Sequence, residues 1–341
     1  MRSHRKRMDE QLSTVSSEAL TEELLNRLYA RRLEITNLLR SLHGRTRPFS
    51  QPTLQYWASR FTLAGEVSHA IEQGQFVIYY QPQVSLRSRK LVGFEALVRW
   101  RHPKRGLISP GEFVSVAEET GLIVPLGDWI LDQSCGQLAA WRTEIPDTEA
   151  LTMHVNIASA QIGREDTPDR VRDCLQRHGL PPEALHLEIT ETSVIEKPGV
   201  TARVLEKLRQ NNVQVWLDDF GTGHSCLSSL HRFALSGLKL DRSFVGEMEQ
   251  PNSGVITKAI LALSHSLGLQ VMAEGIETAR QADELENWHC EFGQGYYFSR
   301  PVPASTGAKY IIGEQSGVLE HKERAQAHTC NLSAFPPLTL M

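Results

Sequence analysis

Two adjacent carboxylates, Asp218 and Asp219, directly follow the apolar run 213–217 and precede Phe220-Gly221-Thr222-Gly223. Acids at the end of a buried strand lose hydration and repel one another, so something positive must compensate, and a pair of divalent metal ions does so with the fewest groups. The arrangement recurs. Glu95 follows residues 91–94, Glu188 follows 184–187 and Glu274 follows 269–273, each run largely apolar. Asn156 ends Met153-His154-Val155-Asn156, where an amide oxygen can complete a coordination sphere. These donors are all oxygen, which favours a hard cation such as Mg²⁺ or Mn²⁺ over zinc. Lys239, between Leu238 and Leu240-Asp241, places an ammonium among the acids, where it can orient or activate a water. Taken singly, each acid also reads as a strand-end hydrogen-bond acceptor or a cap, and Lys239 as a surface lysine snorkelling from its strand. Acids at four or five strand ends describe an enzyme site at the top of a barrel.

The elements that would position them alternate. Strands are expected at 76–80 and 91–98, joined by the polar turn 85–89, and then at 151–155, 185–189, 213–217, 237–240, 269–273 and 292–294. Helices are expected between them, at 127–141, from Thr167-Pro168 to Gly179, and at 201–210, 255–267 and 278–288, with a last one at 304–312. Ser109-Pro110-Gly111-Glu112 reads as a capping box with proline at the first helical position. About eight strands alternating with helices match a TIM-like (β/α)₈ barrel. The first two strands meet without a helix, which predicts an irregular barrel with an antiparallel first pair. An open doubly wound sheet would want an early glycine-rich phosphate turn, and the sequence has none.

Residues 1–61 read as a helical extension and linker, 62–312 as the barrel and 313–341 as a disordered tail. In the extension, Leu28, Ile35 and Leu42 fall one heptad apart, but Arg31 and Arg32 interrupt the alternate seam. Arg45-Thr46-Arg47-Pro48 and Gln51-Pro52 read as linker, and Leu63, Val67 and Ile71 as one face of a lead-in helix stopped by Gly74. A net charge of −4 over 341 residues argues against a non-specific nucleic-acid binder. No apolar run approaches the ~18 residues of a membrane span, and the basic N-terminus lacks the apolar stretch of a signal peptide. Five cysteines without C-x-x-C spacing point to reduced thiols in a cytoplasmic protein, with neither a disulfide framework nor a zinc site expected.

Glu95-Ala96-Leu97 followed by Val98-Arg99-Trp100 resembles the namesake motif of the EAL family, phosphodiesterases of the bacterial second messenger cyclic di-GMP. Tyr80-Gln81-Pro82, Val155-Asn156, Glu188-Ile189-Thr190-Glu191, Asp218 to Gly223, Lys239 to Phe244, Ala273 to Glu277 and Gln294-Gly295-Tyr296 resemble the family's other blocks, in order and with similar spacing. The resemblance covers about residues 62–312. It implies hydrolysis to linear 5′-pGpG by a water activated between two Mg²⁺ or Mn²⁺ ions, in a homodimer that has no membrane span and binds no nucleic-acid polymer. It further implies Glu95, Asn156, Glu188 and Asp218 as ligands of one metal, with Asp218 and Asp219 holding the second. Lys239 and Glu274 would position and deprotonate the water, and Glu277 would support the second metal. Gln81, Arg99 and Gln294 would contact or support the substrate, and Glu191 would anchor the loop after Asp219.

His224 and Cys226 depart from the tyrosine and serine usual in that loop, which puts its packing in doubt but not the metal ligands. A catalytically silent receptor, signalling through the N-terminal helix, is the alternative. Receptors of this kind lose one or more of the acids, and none is missing here.

Overall fold

A computed structural model describes residues 51–196, 198–221, 233–248 and 254–315. The chain enters through α1 (Gln51–Glu72) and then forms β1 (Phe76–Ser85), β2 (Leu91–His102) and the short β3 (Gly106–Ile108). Next come α2 (Pro110–Thr120), α3 (Ile123–Glu144), β4 (Thr152–Asn156), α4 (Ser159–Ile162), α5 (Thr167–His178) and β5 (Leu185–Thr190). These lead to α6 (Glu191–Glu196), α7 (Pro198–Gln210), β6 (Gln214–Phe220), β7 (Gly237–Leu240), α8 (Arg242–Glu247) and α9 (Gly254–Ser266). β8 (Gln270–Ala273), α10 (Ala279–Asn287), β9 (Phe292–Gln294) and α11 (Ala304–Gln315) complete the fold.

The strands run β1-β2-β4-β5-β6-β7-β8-β9 and back to β1, a closed ring of the expected TIM-like kind, with β3 hanging from β2 outside it. β1 is antiparallel to both neighbours, whereas β2 and the strands from β4 to β9 pair in parallel. Alternation sorts each strand's side chains into two sets. Val155, Leu187, Ile189, Val215, Leu217, Leu238, Leu240, Val271 and Ala273 are buried under the helical shell. Their neighbours His154, His186, Glu188, Trp216, Asp218 and Lys239 meet inside the barrel.

Several local expectations change. Gln51-Pro52, read as linker, forms the first turn of α1, where proline's missing N–H leaves no unmet bond. The capping box at Ser109 is not made. Pro110 does start α2 and the Glu112 N–H does reach the Ser109 carbonyl at 3.2 Å, but the Ser109 hydroxyl caps nothing. The Glu112 carboxylate pairs with Arg105 instead. The polar turn after β1 carries a fully buried Leu86, which packs at the foot of the barrel where Gly293 leaves room; a Cβ on Gly293 would come within 2.7 Å of the Leu86 methyl. The short helices α4, α6 and α8 follow strand ends and are too brief for any hydrophobic period to announce them. The last helix reaches Gln315, three residues beyond its predicted end. The rest of the tail and the heptad-bearing segment 21–44 lie outside the described residues.

Candidate active site

At the C-terminal ends of the strands, four carboxylates converge on one buried lysine. Lys239, 1% exposed, has its Nζ 2.6 Å from Glu274 Oε1, 2.9 Å from Glu188 Oε2, and 3.4 Å from both Glu95 Oε2 and Asp218 Oδ1. Burial alone would lower the ammonium's pKa, but Asp218, Glu188, Glu274 and Glu95 together raise it well above its usual value, so it stays charged. One cation cannot balance so many acids. Desolvation, then Glu95, drives the Glu188 carboxyl well above the carboxylate range. Burial pushes Glu274 up to about 8 despite its contact with Lys239. Glu95 moves the other way: burial is outweighed by Lys239 and by hydrogen bonds from Gln294 and Asn156.

Adjacent residues of a strand point to opposite faces, so Asp219 should face away from Asp218. A β-bulge removes the conflict. Leu217 pairs with Leu238 and Phe220 with Leu240, leaving Asp218 and Asp219 opposite Lys239 alone. Asp219 takes a left-handed backbone, φ 54°, a region that aspartate tolerates better than most residues. Both carboxylates thereby reach one rim, where oxygens of Asp218, Asp219 and Glu274 lie within 4.8 Å of one another. Burial and Asp218 raise the Asp219 carboxyl as well. An oxygen-only cluster with more negative than positive charge fits a hard divalent cation.

Asn156 Nδ2 donates to Glu95 Oε1 at 2.8 Å, which leaves its amide oxygen open to other partners. Gln81 and Gln294 are buried and occupied with neighbours. Gln294 donates to Glu95 and to Gln81 Oε1 (3.0 Å), and Gln81 donates to the Ser299 carbonyl at 3.1 Å. A third glutamine, Gln83, donates to Gln294 Oε1 at 3.0 Å. This chain across β1 and β9 fixes the Glu95 carboxylate, so both expected glutamines support the site from below. Arg99 stands two alternations above Glu95 on the same face of β2, bonded to the Val98 carbonyl at 2.8 Å, with its guanidinium 6.0 Å from the Tyr79 ring centre. Glu277 is exposed three residues past Glu274, with its N–H on Gln281 Oε1. Glu191 is buried at the start of α6, while the loop it was expected to anchor, His224 and Cys226 included, lies outside the described residues.

Two histidines beneath the acids carried no expectation. His154 Nδ1 lies 2.8 Å from Glu188 Oε1, and His154 Nε2 lies 2.8 Å from His186 Nδ1. The His186 ring stacks on Trp216, with centroids 5.8 Å apart and planes 16° from parallel. Burial, then His186 and Lys239, holds His154 well below the usual histidine pKa, and burial takes His186 down to about 4, so both rings are neutral. Gly237 makes room for Trp216, since a Cβ there would sit 2.5 Å from the indole. The signal was present in the sequence. His154 precedes Asn156 by two residues and His186 precedes Glu188 by two, so each pair shares the inward face.

The family model of the EAL domain matches residues 64–301. The chain belongs to the EAL domain family. It is 41% identical over 248 residues to the signaling protein YkoW of Bacillus subtilis, covering 72% of this chain and 31% of that one. It is 37% identical over 264 residues to the cyclic di-GMP phosphodiesterase NbdA of Pseudomonas aeruginosa, covering 77% of this chain and 34% of that one. The chain thus spans about a third of the length of the curated relatives it matches. A solved structure titled as the PaMucR phosphodiesterase in complex with c-di-GMP superposes with a TM-score of 0.68 at 39% identity, covering 72% of this chain and 99% of that one. Among the described residues no helix is long and apolar enough to cross a membrane.

Proposed function

We propose that this EAL barrel hydrolyses cyclic di-GMP to linear 5′-pGpG in a metal-dependent reaction, as a cytoplasmic homodimer. The observation that carries the reading is the rim itself: Lys239 buried among Glu95, Glu188, Asp218 and Glu274, with Asp219 brought alongside by the bulge. The relatives named as cyclic di-GMP phosphodiesterases supply the substrate.

In this reading Glu95, Asn156, Glu188 and Asp218 would hold one Mg²⁺ or Mn²⁺ ion, and Asp218 and Asp219 would hold a second, with Glu277 alongside. The ions supply Lewis acidity towards the phosphodiester and lower the pKa of the attacking water. Glu274 takes the water's proton; burial raises its carboxyl to about 8, which makes its ionised form a stronger base than an ordinary carboxylate. Lys239 holds Glu274 in place through its 2.6 Å contact and directs the water. Arg99, above the acids, meets a phosphate oxygen of the substrate. Gln81 and Gln294 keep Glu95 in one orientation, and Glu191 steadies the loop beyond Asp219.

Incubation of the metal-loaded protein with cyclic di-GMP, followed by chromatography, should yield pGpG. Asp218→Asn should lower the rate more than about 10³-fold, because a lost ligand removes charge stabilisation at phosphorus. A dinucleotide that is bound but unchanged would replace this reading with that of a silent receptor.

A further inference from the structure

Away from the barrel interior, α3 and α5 bring together a second set of metal-ligating side chains of different chemistry. Asp132 and Cys135 lie three residues apart on α3, and Cys174 and His178 lie four apart on α5, so each pair shares one face of its helix. The ligand atoms of Asp132, Cys174 and His178 all lie within 4.8 Å of one another, and the buried Cys135 thiol neighbours Cys174, which raises its pKa. Both thiols are free and buried. His178 Nε2 sits 3.0 Å from Asp132 Oδ1, and Arg177 pairs with the same carboxylate from a side chain that is 60% exposed and free to swing out.

Two features show that this corner is shaped to hold those groups. Gly136 sits in the interior of α3, where glycine weakens the helix relative to alanine. A Cβ there would press to 3.2 Å on His178 Cε1, so the glycine lets the ring lie against the helix. Asp132 and His178 also line one end of a cavity of about 380 Å³ that Phe76 and Trp129 border, which gives an ion a way in.

We propose that Asp132, Cys174 and His178, with Cys135 turning in as the fourth ligand, form a binding site for Zn²⁺ that staples α3 to α5. Two sulfurs, one imidazole and one carboxylate make a closed tetrahedral donor set of the structural-zinc type. Thiolate ligands suit zinc and select against Mg²⁺ and Mn²⁺, so this site and the oxygen-only rim draw on different cations. Binding breaks two S–H bonds and forms two metal–sulfur bonds, the two protons leaving to solvent. The Asp132 contacts with His178 and Arg177 give way to the metal.

The reduced full chain, stripped with chelator and titrated with Co²⁺, should develop a thiolate-to-cobalt charge-transfer band saturating at one ion per chain. Among the described residues of the rim none carries sulfur, so cobalt bound to them gives no such band. Zn²⁺ should displace the cobalt and abolish the signal, because soft thiolate ligands select zinc. Cys174→Ser should remove the band, and Asp218→Asn should leave it unchanged. His178→Ala, at a side chain that is 22% exposed, should weaken Co²⁺ binding at least about tenfold while circular dichroism stays native, since loss of even an outer-shell partner costs about 10–100-fold. Absence of a sulfur band in the folded, reduced protein would overturn the proposal. So would a band that survives in both Cys135→Ser and Cys174→Ser, or one that disappears in Asp218→Asn.

Discussion

At the rim four carboxyl groups crowd one lysine, whereas on the flank of the barrel aromatic rings crowd one another. On the flank Phe76 lies 5.7 Å from Trp100 and 5.3 Å from Phe113, and Trp100 meets Phe113 edge-on at 5.9 Å. The one polar atom among these rings, Trp100 Nε1, donates to Gln75 at 3.0 Å. Both regions are buried, but burial stabilises only the second: each large apolar side chain removed from water contributes about 1.5–3 kcal/mol whatever the solution holds. At the rim burial is the cost, and what offsets it depends on protons and cations in solution. One molecule therefore contains a region whose stability is fixed and another whose stability is conditional.

The widest contrast should come from one substitution in each region. Lys239→Met leaves the acids without their ammonium and should cost about 3–5 kcal/mol in metal-free buffer, the usual penalty for breaking a buried ion pair. Saturating Mg²⁺ or Mn²⁺ should restore most of it. Phe113→Ala should cost a similar ~3–5 kcal/mol through its cavity, with or without metal. Chemical denaturation in both buffers checks the pair; equal Lys239→Met losses in the two would deny the rim its conditional character.

A pH series sharpens the same contrast. The folded Glu274 carboxyl, raised to about 8, binds a proton that the unfolded chain releases near about 4.3. That contribution is fully present below the unfolded value and is lost as pH rises through the folded one. The metal-free protein should therefore lose thermal stability between about pH 5 and 8, and Glu274→Gln should flatten the decline. Phe113→Ala should shift the curve without changing its slope. Identical slopes for wild type and Glu274→Gln would take Glu274 out of the account.

Smaller effects follow. His154→Phe keeps a ring beneath Glu188 but deletes its 2.8 Å contact. It should weaken Mg²⁺ or Mn²⁺ binding, read by calorimetry, about 10–100-fold while circular dichroism stays native. Unchanged affinity would make His154 simple packing. On the flank, Ser109→Ala should cost less than about 0.5 kcal/mol, where a working cap costs about 1, because the hydroxyl bonds to nothing in α2. A full-sized loss would mean that the cap forms in solution.

The acids were legible because each stands at the end of an apolar run, and strand ends of a closed parallel barrel share one rim. The strand 292–294 and the antiparallel first pair were legible for the same local reasons. What the sequence hid was tertiary. Nothing in Asp218-Asp219 announces the bulge that turns the second carboxylate inward, because the bulge exists only relative to β7. The glutamine chain joins Gln81, Gln83 and Gln294 across some 210 residues of sequence. The Ser109 box failed because Arg105 offered the Glu112 carboxylate a charged donor, stronger than a backbone N–H. Asp132 and Cys174-x-x-x-His178 stand on different helices, and only the packing of α3 on α5 makes them one cluster.

The reversed first strand also decides where the molecule can be addressed. In an all-parallel barrel the incoming chain starts its first strand at the face opposite the chemistry. Here Phe76, the first residue of β1, pairs with Trp100 near the end of β2, so the chain enters on the catalytic side. α1 delivers it there, tied to α2 by Arg60 and Glu119 at 2.7 Å. A torque or tug applied upstream of Gln51 would thus arrive at the mouth of the barrel without first crossing its core, as a handle fixed to the lid and not to the base.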